Sequence, residues 1–591
     1  MDKPNISRLT ILQIGFAFAS LLIVLNIIRI QSNAIAIDMS KAAHSQYEQI
    51  RQLVTPERGN IYDKWGHLLA GSREVYEVGV EFNQLYNSAT VAHDLSQILG
   101  IDETKLVGLL ANPNQLNYAQ IARDVEPDKV QQISQLREGY KTLKVHLKSG
   151  QLIPSLRGVT WTPYLIRSYP ENTLSSGILG IVRFHEGLNP PAVLGVEEKY
   201  NDLLAGKALY VETNIDPKSV QAAQEIPPGD SLQLTIDRDI QAMAEKQINH
   251  AVEKNGAASG TIIIMDPRTG EIMAMASTPQ LNLNEYWKYL EQFPKDTSIN
   301  RAISQTYEPG SVFKVLTMAA AINEGIVKPN TPFLDTGSIE VGGLTIYNWD
   351  RAAYGPQDMI GCMQHSLNVC LAWVATQLGR EKFLDYVDRF NIGRRTNIDM
   401  AGEVYYPVNM PGDKYWSESN LGTYAFGQGL AVTPIQLATA ISAVANDGKM
   451  MAPHVVKAII HNGKVTPVEP HVLAQPITKQ TANTLSEMLA VSLVNEASTA
   501  LVPGYRVSGK TGTAEIAIPG EGYVTNLTNA SFVGWGPTDD PRFLVYLWLE
   551  KPTSAPWSSV IVAPIFSSVV TDLVTLMDLP PDSVRQHLYG Q

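Results

Sequence analysis

Three short stretches of this chain carry residue types that could together perform nucleophilic acyl chemistry. The first is Ser311-Val312-Phe313-Lys314. Glu308-Pro309-Gly310 break the chain just before it, and the residues that follow, to Asn323, are apolar on almost every face. That pattern predicts a buried helix over 311–323. A hydroxyl and an amine three residues apart share one helix face. The helix N-terminus is electropositive and has unpaired N–H groups. Desolvation favours the neutral amine, and a neutral lysine can take a proton from a serine hydroxyl. Taken alone, the pair reads more plainly as a capping serine and a lysine snorkelling out of a core. Yet Lys314 is the one lysine in the chain with a serine three positions before it.

The second stretch, Ser366-Leu367-Asn368, begins 55 residues after Ser311. A hydroxyl and an amide two apart on a loop can point into one cleft. Ser298-Ile299-Asn300 has the same form and could be an ordinary turn. The third stretch, Lys510-Thr511-Gly512-Thr513, begins 199 residues after Ser311, within a strand-like run over 506–516. Gly509 and Gly512 inside such a run point to close approach by another backbone or a ligand. An extended peptide could pair along that edge, whereas the plainer reading is an edge strand blunted by lysine. Lys148-Ser149-Gly150 imitates the third stretch, but it precedes the serine helix and is assigned to a surface turn. Singly each motif is weak; Ser-x-x-Lys, Ser-x-Asn and Lys-Thr-Gly in this order and spacing are not.

These side chains need a frame. A helix is expected over 238–254, followed by short apolar runs at 261–265 and 271–276 around Asp266-Pro267-Arg268-Thr269-Gly270, a hairpin signature. Further strands are expected at 530–536 and 543–549. The middle, 311–500, reads as mainly helical. Strands at both ends with helices between imply one sheet built from distant segments, with a helical subdomain inserted. Upstream, 75–80 is strand-like, 90–150 looks helical with periodic leucines, and 30–55 reads as a polar, helix-compatible stalk. Gly195-Val196-Glu197-Glu198 opens a helix running toward Leu204.

The chain has 591 residues, 44% of them hydrophobic, and a formal net charge of −12, which disfavours a nucleic-acid backbone binder. That length allows roughly three to five domains. Residues 9–28 contain no charge and are mostly apolar, enough at about 1.5 Å per residue to span a hydrocarbon core of about 30 Å. Lys3 and Arg8 precede this run, so the N-terminus is expected in the cytoplasm and the rest outside it. Ala34-Ile35-Ala36 fits a signal-peptide cleavage site, but the apolar run is longer than such a peptide needs, favouring an uncleaved anchor. The 2 cysteines, Cys362 and Cys370, flank Ser366 and could be bridged only if the intervening loop folds back. Buried free thiols are the expectation. Asn526-Leu527-Thr528 and Asn529-Ala530-Ser531 fit the glycosylation pattern and are read as chance. The 11 histidines show no zinc-protease spacing.

With these motifs on one chain, the sequence resembles a class B penicillin-binding protein, a monofunctional peptidoglycan D,D-transpeptidase. Arg58-Gly59-Asn60-Ile61-Tyr62-Asp63, Arg167-Ser168-Tyr169-Pro170 and Gly195-Val196-Glu197 resemble motifs of that family's non-catalytic pedestal. Asp266-Pro267-Arg268-Thr269-Gly270-Glu271 resembles its first catalytic hairpin, and Phe426-Gly427-Gln428-Gly429 with Thr433-Pro434-Ile435-Gln436 the segment behind the site. No glycosyltransferase-sized block precedes the pedestal, and 34 residues follow Trp557, too few for appended repeats.

The resemblance implies an α+β architecture. A cytoplasmic tail over 1–8 and a transmembrane anchor over 9–30 would lead to an elongated mixed pedestal over 31–231. A transpeptidase domain over 232–577 would follow, with an antiparallel sheet flanked by helices and an inserted helical subdomain, then a tail over 578–591. It also implies roles. Ser311 is the nucleophile and Lys314 its base; Ser366 relays a proton and Asn368 orients Lys314. Lys510, Thr511, Gly512 and Thr513 receive the substrate's terminal carboxylate, and the N–H groups of Ser311 and Thr513 form the oxyanion hole. The implied partners are peptidoglycan stem peptides, β-lactams and a polytopic membrane glycan polymerase of the shape, elongation, division and sporulation family, with no nucleic acid, metal or organic cofactor. A membrane-anchored β-lactamase or β-lactam sensor, or a mainly non-catalytic scaffold of the wall-synthesis complex, are the alternatives.

Overall fold

The computed structural model describes residues 8–31, 49–111, 117–143, 152–184, 190–214, 226–293, 298–518 and 522–589. They form two compact units, Met1–Pro56 with Gly206–Pro228, and Glu57–Ala205 with Gly229–Gln591.

The smaller unit holds the apolar helix Arg8–Gln31. Its segment Leu12–Ile30 is long and apolar enough to cross a membrane. Here the expected helical stalk is corrected in part, since Gln49–Val54 is a strand, paired antiparallel with Leu209–Asn214. An extended partner supplies the ladder bonds that a lone polar stalk lacks. Residues 32–48, including Ala34-Ile35-Ala36, lie outside the described residues.

In the larger unit the sheet nearest the N-terminus runs Lys464–Pro467, Val456–His461, Ser231–Leu234, Ile61–Tyr62, Leu68–Glu81 and Tyr118–Val125, and Val159–Ser168 also pairs with Leu68–Glu81. Two expectations are corrected by it. The region 90–150 is not all helical: Tyr118–Val125 is a strand between the helices Glu103–Ala111 and Pro127–Thr142. Its backbone completes the edge of Leu68–Glu81, and that pairing overrides helix propensity. The region 311–500 also carries strands. Val456–His461 and Lys464–Pro467 form a hairpin through Asn462-Gly463, both at positive φ (49° and 78°), the geometry of the two-residue turn that Asn-Gly favours. Ser338–Val341 and Leu344–Tyr347 do the same through Gly342-Gly343.

The three pedestal motifs meet at one buried carboxylate. Glu197 receives Arg167 Nε at 2.7 Å and Arg58 Nε at 2.8 Å, and Arg167 Nη1 donates to Gly59 O at 2.8 Å. Burial opposes the charge of Glu197, but Arg167 and Arg58 outweigh it and hold the carboxyl below the usual range.

The second sheet is antiparallel and five-stranded, in the order Ile272–Thr278, Ser259–Met265, Phe543–Glu550, Gly522–Gly536, Ser508–Ile518. Strand Phe543–Glu550 is buried on both faces. Phe543, Val545, Leu547 and Leu549 pack with the helices Arg238–Asn255 and Ala563–Leu576, while Leu544, Tyr546 and Trp548 join the core shared with the Lys314–Asn323 and Pro434–Ser442 helices. This period-two division explains an unbroken apolar run in a central strand. Ser558–Leu576 is also apolar enough to cross a membrane, but Phe566, Val569, Val570 and Leu573 are wholly buried against the sheet. Two termini follow the sequence closely. Asp237 caps the Arg238–Asn255 helix, and Thr433 caps Pro434–Ser442 through Gln436 N with Pro434 in its first turn. Ser508–Ile518 pairs on one side only, leaving the other edge open beside the inserted helices.

Candidate active site

The expected helix over 311–323 begins as a tighter turn. Gly310–Phe313 is 3₁₀, and the α-helix is Lys314–Asn323. The difference matters chemically, because side chains three apart eclipse each other in a 3₁₀ turn. Ser311 and Lys314 therefore stand on one line, with Lys314 N–H donating to Ser311 O. Pro309 occupies the cap position and no side chain caps the turn, so Ser311 does not serve as a helix cap. Nor does Lys314 snorkel: it is wholly buried, and its Nζ lies 2.6 Å from Ser366 O, 3.2 Å from Ser366 Oγ and 2.8 Å from Asn368 Oδ1. Burial first, and the positive charge of Lys510 second, push Lys314 well below the usual lysine range, while the negative charge of Glu496 opposes them.

Ser366 reaches this position through a helix C-cap. The helix Met359–Gln364 ends with Ser366 N donating to Met363 O and Leu367 N donating to Cys362 O, the paired bonds of a Schellman motif. Ser366 is the left-handed residue of that motif, with φ 51°, a place that favours glycine. Asn368 opens the next helix, Asn368–Leu378, and its Nδ2 donates to Tyr347 O at 3.2 Å. The reversal at Ser366 also corrects the expectation of free thiols. Cys362 and Cys370 form a disulfide, their Cα atoms 6.1 Å apart, because the cap folds the intervening loop back on itself.

The open edge strand supplies the third group. Lys510 is wholly buried, and its Nζ lies 3.1 Å from Ser366 Oγ. The Ser366 hydroxyl is thus within hydrogen-bond distance of both lysines. Gly512 lets the strand touch the Ser311 turn: a Cβ there would lie 2.6 Å from Val312 Cγ2. Gly310, at φ 57°, meets the same strand from the other side, where a Cβ would lie 2.8 Å from Thr513 O. In an extended strand a residue's N–H and C=O point to the same side. The Thr513 N–H therefore faces the Ser311 turn.

Two residues that sequence reading did not single out brace this strand. Ser558, wholly buried, donates through Oγ to Gly512 O, accepts from Ser531 N at 3.1 Å, and its own N–H donates to Thr513 Oγ1 at 3.2 Å. A planar peptide sets C=O and N–H antiparallel, so holding Gly512 O aims the Thr513 N–H. The other is Glu496, the last residue of the helix Lys479–Glu496. Its Oε1 accepts from Lys510 Nζ and Thr511 Oγ1, and from Thr511 N at 3.4 Å. Neither residue belongs to a motif with fixed spacing, and only the fold brings them to the strand.

The imitations fall elsewhere. Ser298 Oγ accepts from Asn300 N, and Asn300 caps the short helix Arg301–Ser304, a structural turn. Lys148-Ser149-Gly150 lies outside the described residues. Asn529 is buried on the Gly522–Gly536 strand. The side chain of Asn526, on the same strand, lies outside the described residues. No group of three or more metal-ligating side chains occurs among the described residues.

Comparison with known proteins agrees with this arrangement. Residues 260–571 match the family described as the penicillin binding protein transpeptidase domain, and residues 53–234 match the penicillin-binding protein dimerisation domain. Stage V sporulation protein D of Bacillus subtilis (strain 168) is 31% identical over 89% of this chain and 79% of its own length. Peptidoglycan D,D-transpeptidase FtsI of Escherichia coli (strain K12) is 28% identical over 90% and 86%. Among solved structures, penicillin binding protein 2X of Streptococcus thermophilus shares the fold with a TM-score of 0.74 at 22% identity, over 89% of this chain and 80% of that one. Penicillin binding protein 3 of Mycobacterium tuberculosis, complexed with aztreonam, does so with a TM-score of 0.67 at 24% identity, over 90% and 98%. The chain belongs to the class B penicillin-binding proteins.

Proposed function

We propose that this protein is a peptidoglycan D,D-transpeptidase that cross-links stem peptides through a Ser311 acyl-enzyme in cell-wall synthesis. The observation that carries the reading is the wholly buried Lys314 amine, on the first residue of the helix that follows the Ser311 turn and bonded to Ser366 and Asn368. As a neutral amine it keeps two N–H donors, enough for Ser366 O and Asn368 Oδ1, and its lone pair is free for a hydroxyl proton.

Ser311 Oγ attacks the carbonyl carbon between the two terminal D-alanines while Lys314 Nζ takes its proton. The N–H groups of Ser311 and Thr513 stabilise the oxyanion, a charge that exists only in the transition state and intermediate. Lys510, Thr511 and Thr513 hold the donor's terminal carboxylate beside the close approach at Gly512. The C–N bond breaks, and Ser366, between the two lysines, passes a proton to the departing D-alanine amine. An amine of a neighbouring stem then attacks the ester carbon, the bond from that carbon to Ser311 Oγ breaks, and the proton the amine loses passes through Lys314 Nζ to Ser311 Oγ. β-Lactams acylate Ser311 as mimics of the donor.

The helix Arg8–Gln31 serves as a single-pass anchor with the N-terminus cytoplasmic. Residues 31–231 form a pedestal and 232–577 the catalytic domain, outside the cytoplasm where the wall is built. A polytopic glycan polymerase contacts the anchor and pedestal, as the resemblance implies. The test is covalent labelling by a fluorescent penicillin: the wild-type protein labels, and Ser311→Ala does not. A labelled Ser311→Ala protein would remove Ser311 from the role of nucleophile.

A further inference from the structure

The groups assigned to the donor's carboxylate already hold one. Glu496 is nearly buried, its side chain 5% exposed, and one of its oxygens is shared by Lys510 and Thr511. It stands at the C-terminal end of an 18-residue helix, where the helix dipole disfavours negative charge. Lys510 compensates for that position and is in turn fixed by it.

We propose that Glu496 is a positioning residue of the reaction, holding the Lys510 ammonium against Ser366 Oγ and offsetting the charge that Lys510 presents to Lys314. The inference rests on the serine acyl-transfer reading above. A lysine carries its charge on a flexible four-carbon stem. Outside its own strand, Lys510 Nζ has two anchors, Ser366 Oγ at 3.1 Å and Glu496 Oε1. Removing the carboxylate would leave the buried ammonium with Ser366 Oγ as its one anchor beyond its own strand, beside Thr511 O at 3.2 Å and Thr511 Oγ1 at 3.4 Å.

Two charged groups face Lys314: Lys510 from the edge strand and Glu496 from the end of the Lys479–Glu496 helix. Its other partners, Ser366 and Asn368, are uncharged. Lys510 favours the neutral base, and Glu496 moderates that effect. Without the carboxylate, Lys314 stays neutral to lower pH, and the acid limb of acylation moves down with it.

The experiment uses the full-length protein in detergent. Acylation by labelled penicillin is followed across pH for the wild type, Glu496→Gln and Glu496→Asp, resolving the binding constant from the acylation rate constant. For Glu496→Gln the acid limb should fall by about one pH unit, the effect of removing a nearby opposite charge. Its plateau rate should drop about tenfold, the worth of one hydrogen bond to a charged group. Glu496→Asp keeps the charge, so its limb should stay at the wild-type position while its plateau falls. An unmoved limb in Glu496→Gln, or limbs that move equally in both variants, would overturn the proposal. If Glu496→Gln does not fold, a Glu496→Asp protein matching the wild type in both limb and plateau would overturn it equally. Loss of the nucleophile reading is distinguishable, because it appears as label on Ser311→Ala.

Discussion

Ser366 offers a way to separate the chemistry from the fold. Its backbone is left-handed, φ 51°, at a helix C-cap, while its hydroxyl lies 3.2 Å from Lys314 Nζ and 3.1 Å from Lys510 Nζ. Holding a non-glycine residue in that conformation costs roughly 1 kcal/mol. Ser366→Gly relieves that strain but loses two hydroxyl contacts worth about 1 kcal/mol each, and it makes the unfolded chain freer by about 0.4–1 kcal/mol. Part of the contact loss is recovered, because Lys314 keeps Ser366 O at 2.6 Å and Lys510 keeps Glu496. The net change is therefore small, within about 1–2 kcal/mol. Ser366→Ala loses the same contacts and keeps the strain. Glycine should then match or exceed alanine in stability, the reverse of the usual order inside a helix. Both variants lose the hydroxyl proposed as the relay, and acylation by labelled penicillin should fall by about 10²–10⁴, the range for a positioned proton-transfer group. Thermal unfolding midpoints and acylation rates measured on the same preparations decide it. An alanine variant that melts above the glycine variant would refute the backbone argument. A glycine variant that acylates near the wild-type rate would refute the relay.

Ser558→Ala should slow acylation about tenfold to a hundredfold, somewhat less than deleting an oxyanion donor, with little change in penicillin binding before acylation; stopped-flow labelling separates the two. Glu197→Gln should destabilise the protein by about 3–5 kcal/mol, as breaking a buried ion pair does, measured by denaturant unfolding. The native carboxyl of Glu197 is held below its unfolded value, so its stabilisation is present above the ordinary glutamate range and is lost as pH falls through the native value. The wild type should therefore lose stability on acidification more steeply than the variant. Converting Cys362 and Cys370 to serine removes a cross-link across 8 residues, worth about 2–3 kcal/mol, and should slow acylation by loosening Ser366 and Asn368. The penicillin adduct should persist through prolonged incubation and washing, read as retained label.

The side chains in the site were legible in the sequence because their chemistry is carried by short, local patterns. Ser311 and Lys314 share a turn, Ser366 and Asn368 flank a cap, and Lys510 to Thr513 lie on one strand. The hairpin of Ser259–Met265 and Ile272–Thr278, at one edge of the five-stranded sheet, was equally legible from Asp266-Pro267 and Thr269-Gly270 between two apolar runs. Two kinds of feature were not. The first depends on pairing at a distance: Tyr118–Val125 and Gln49–Val54 are strands because Leu68–Glu81 and Leu209–Asn214 offer them an edge. The Asn462-Gly463 and Gly342-Gly343 turns did carry a local hairpin signal, but a helical reading of the middle region passed over it. The second kind depends on what surrounds a motif. Ser558 and Glu496 act on the edge strand from 46 residues after Gly512 and 14 residues before Lys510. Nothing in their own neighbourhoods marks them. The disulfide belongs here too, since its closure follows from the left-handed backbone at Ser366 and not from the spacing of the cysteines.

The positions of the carboxylates bear on why an acyl-enzyme here would wait for an amine and not be lost to water. Rapid hydrolysis requires a base free to activate a water molecule against the ester. Two carboxylates beside the motifs, Glu496 and Glu308, have partners. Glu496 is shared by Lys510 and Thr511. Glu308, three residues before Ser311, accepts Gly429 N–H at 3.0 Å and the Tyr523 hydroxyl on both oxygens, at 3.2 and 3.0 Å. Burial also holds the Glu308 carboxyl above its usual range. Its hydrogen bonds tie that carboxyl to a backbone N–H and a phenol. Glu496 and Glu308 therefore fix the strand, its lysine and the adjoining loop, and Lys314 is the base proposed for the reaction. An attacking amine is a stronger nucleophile than water and needs less activation by a base. The engagement of Glu496 and Glu308 thus weighs against either serving as the water-activating base that the β-lactamase alternative needs.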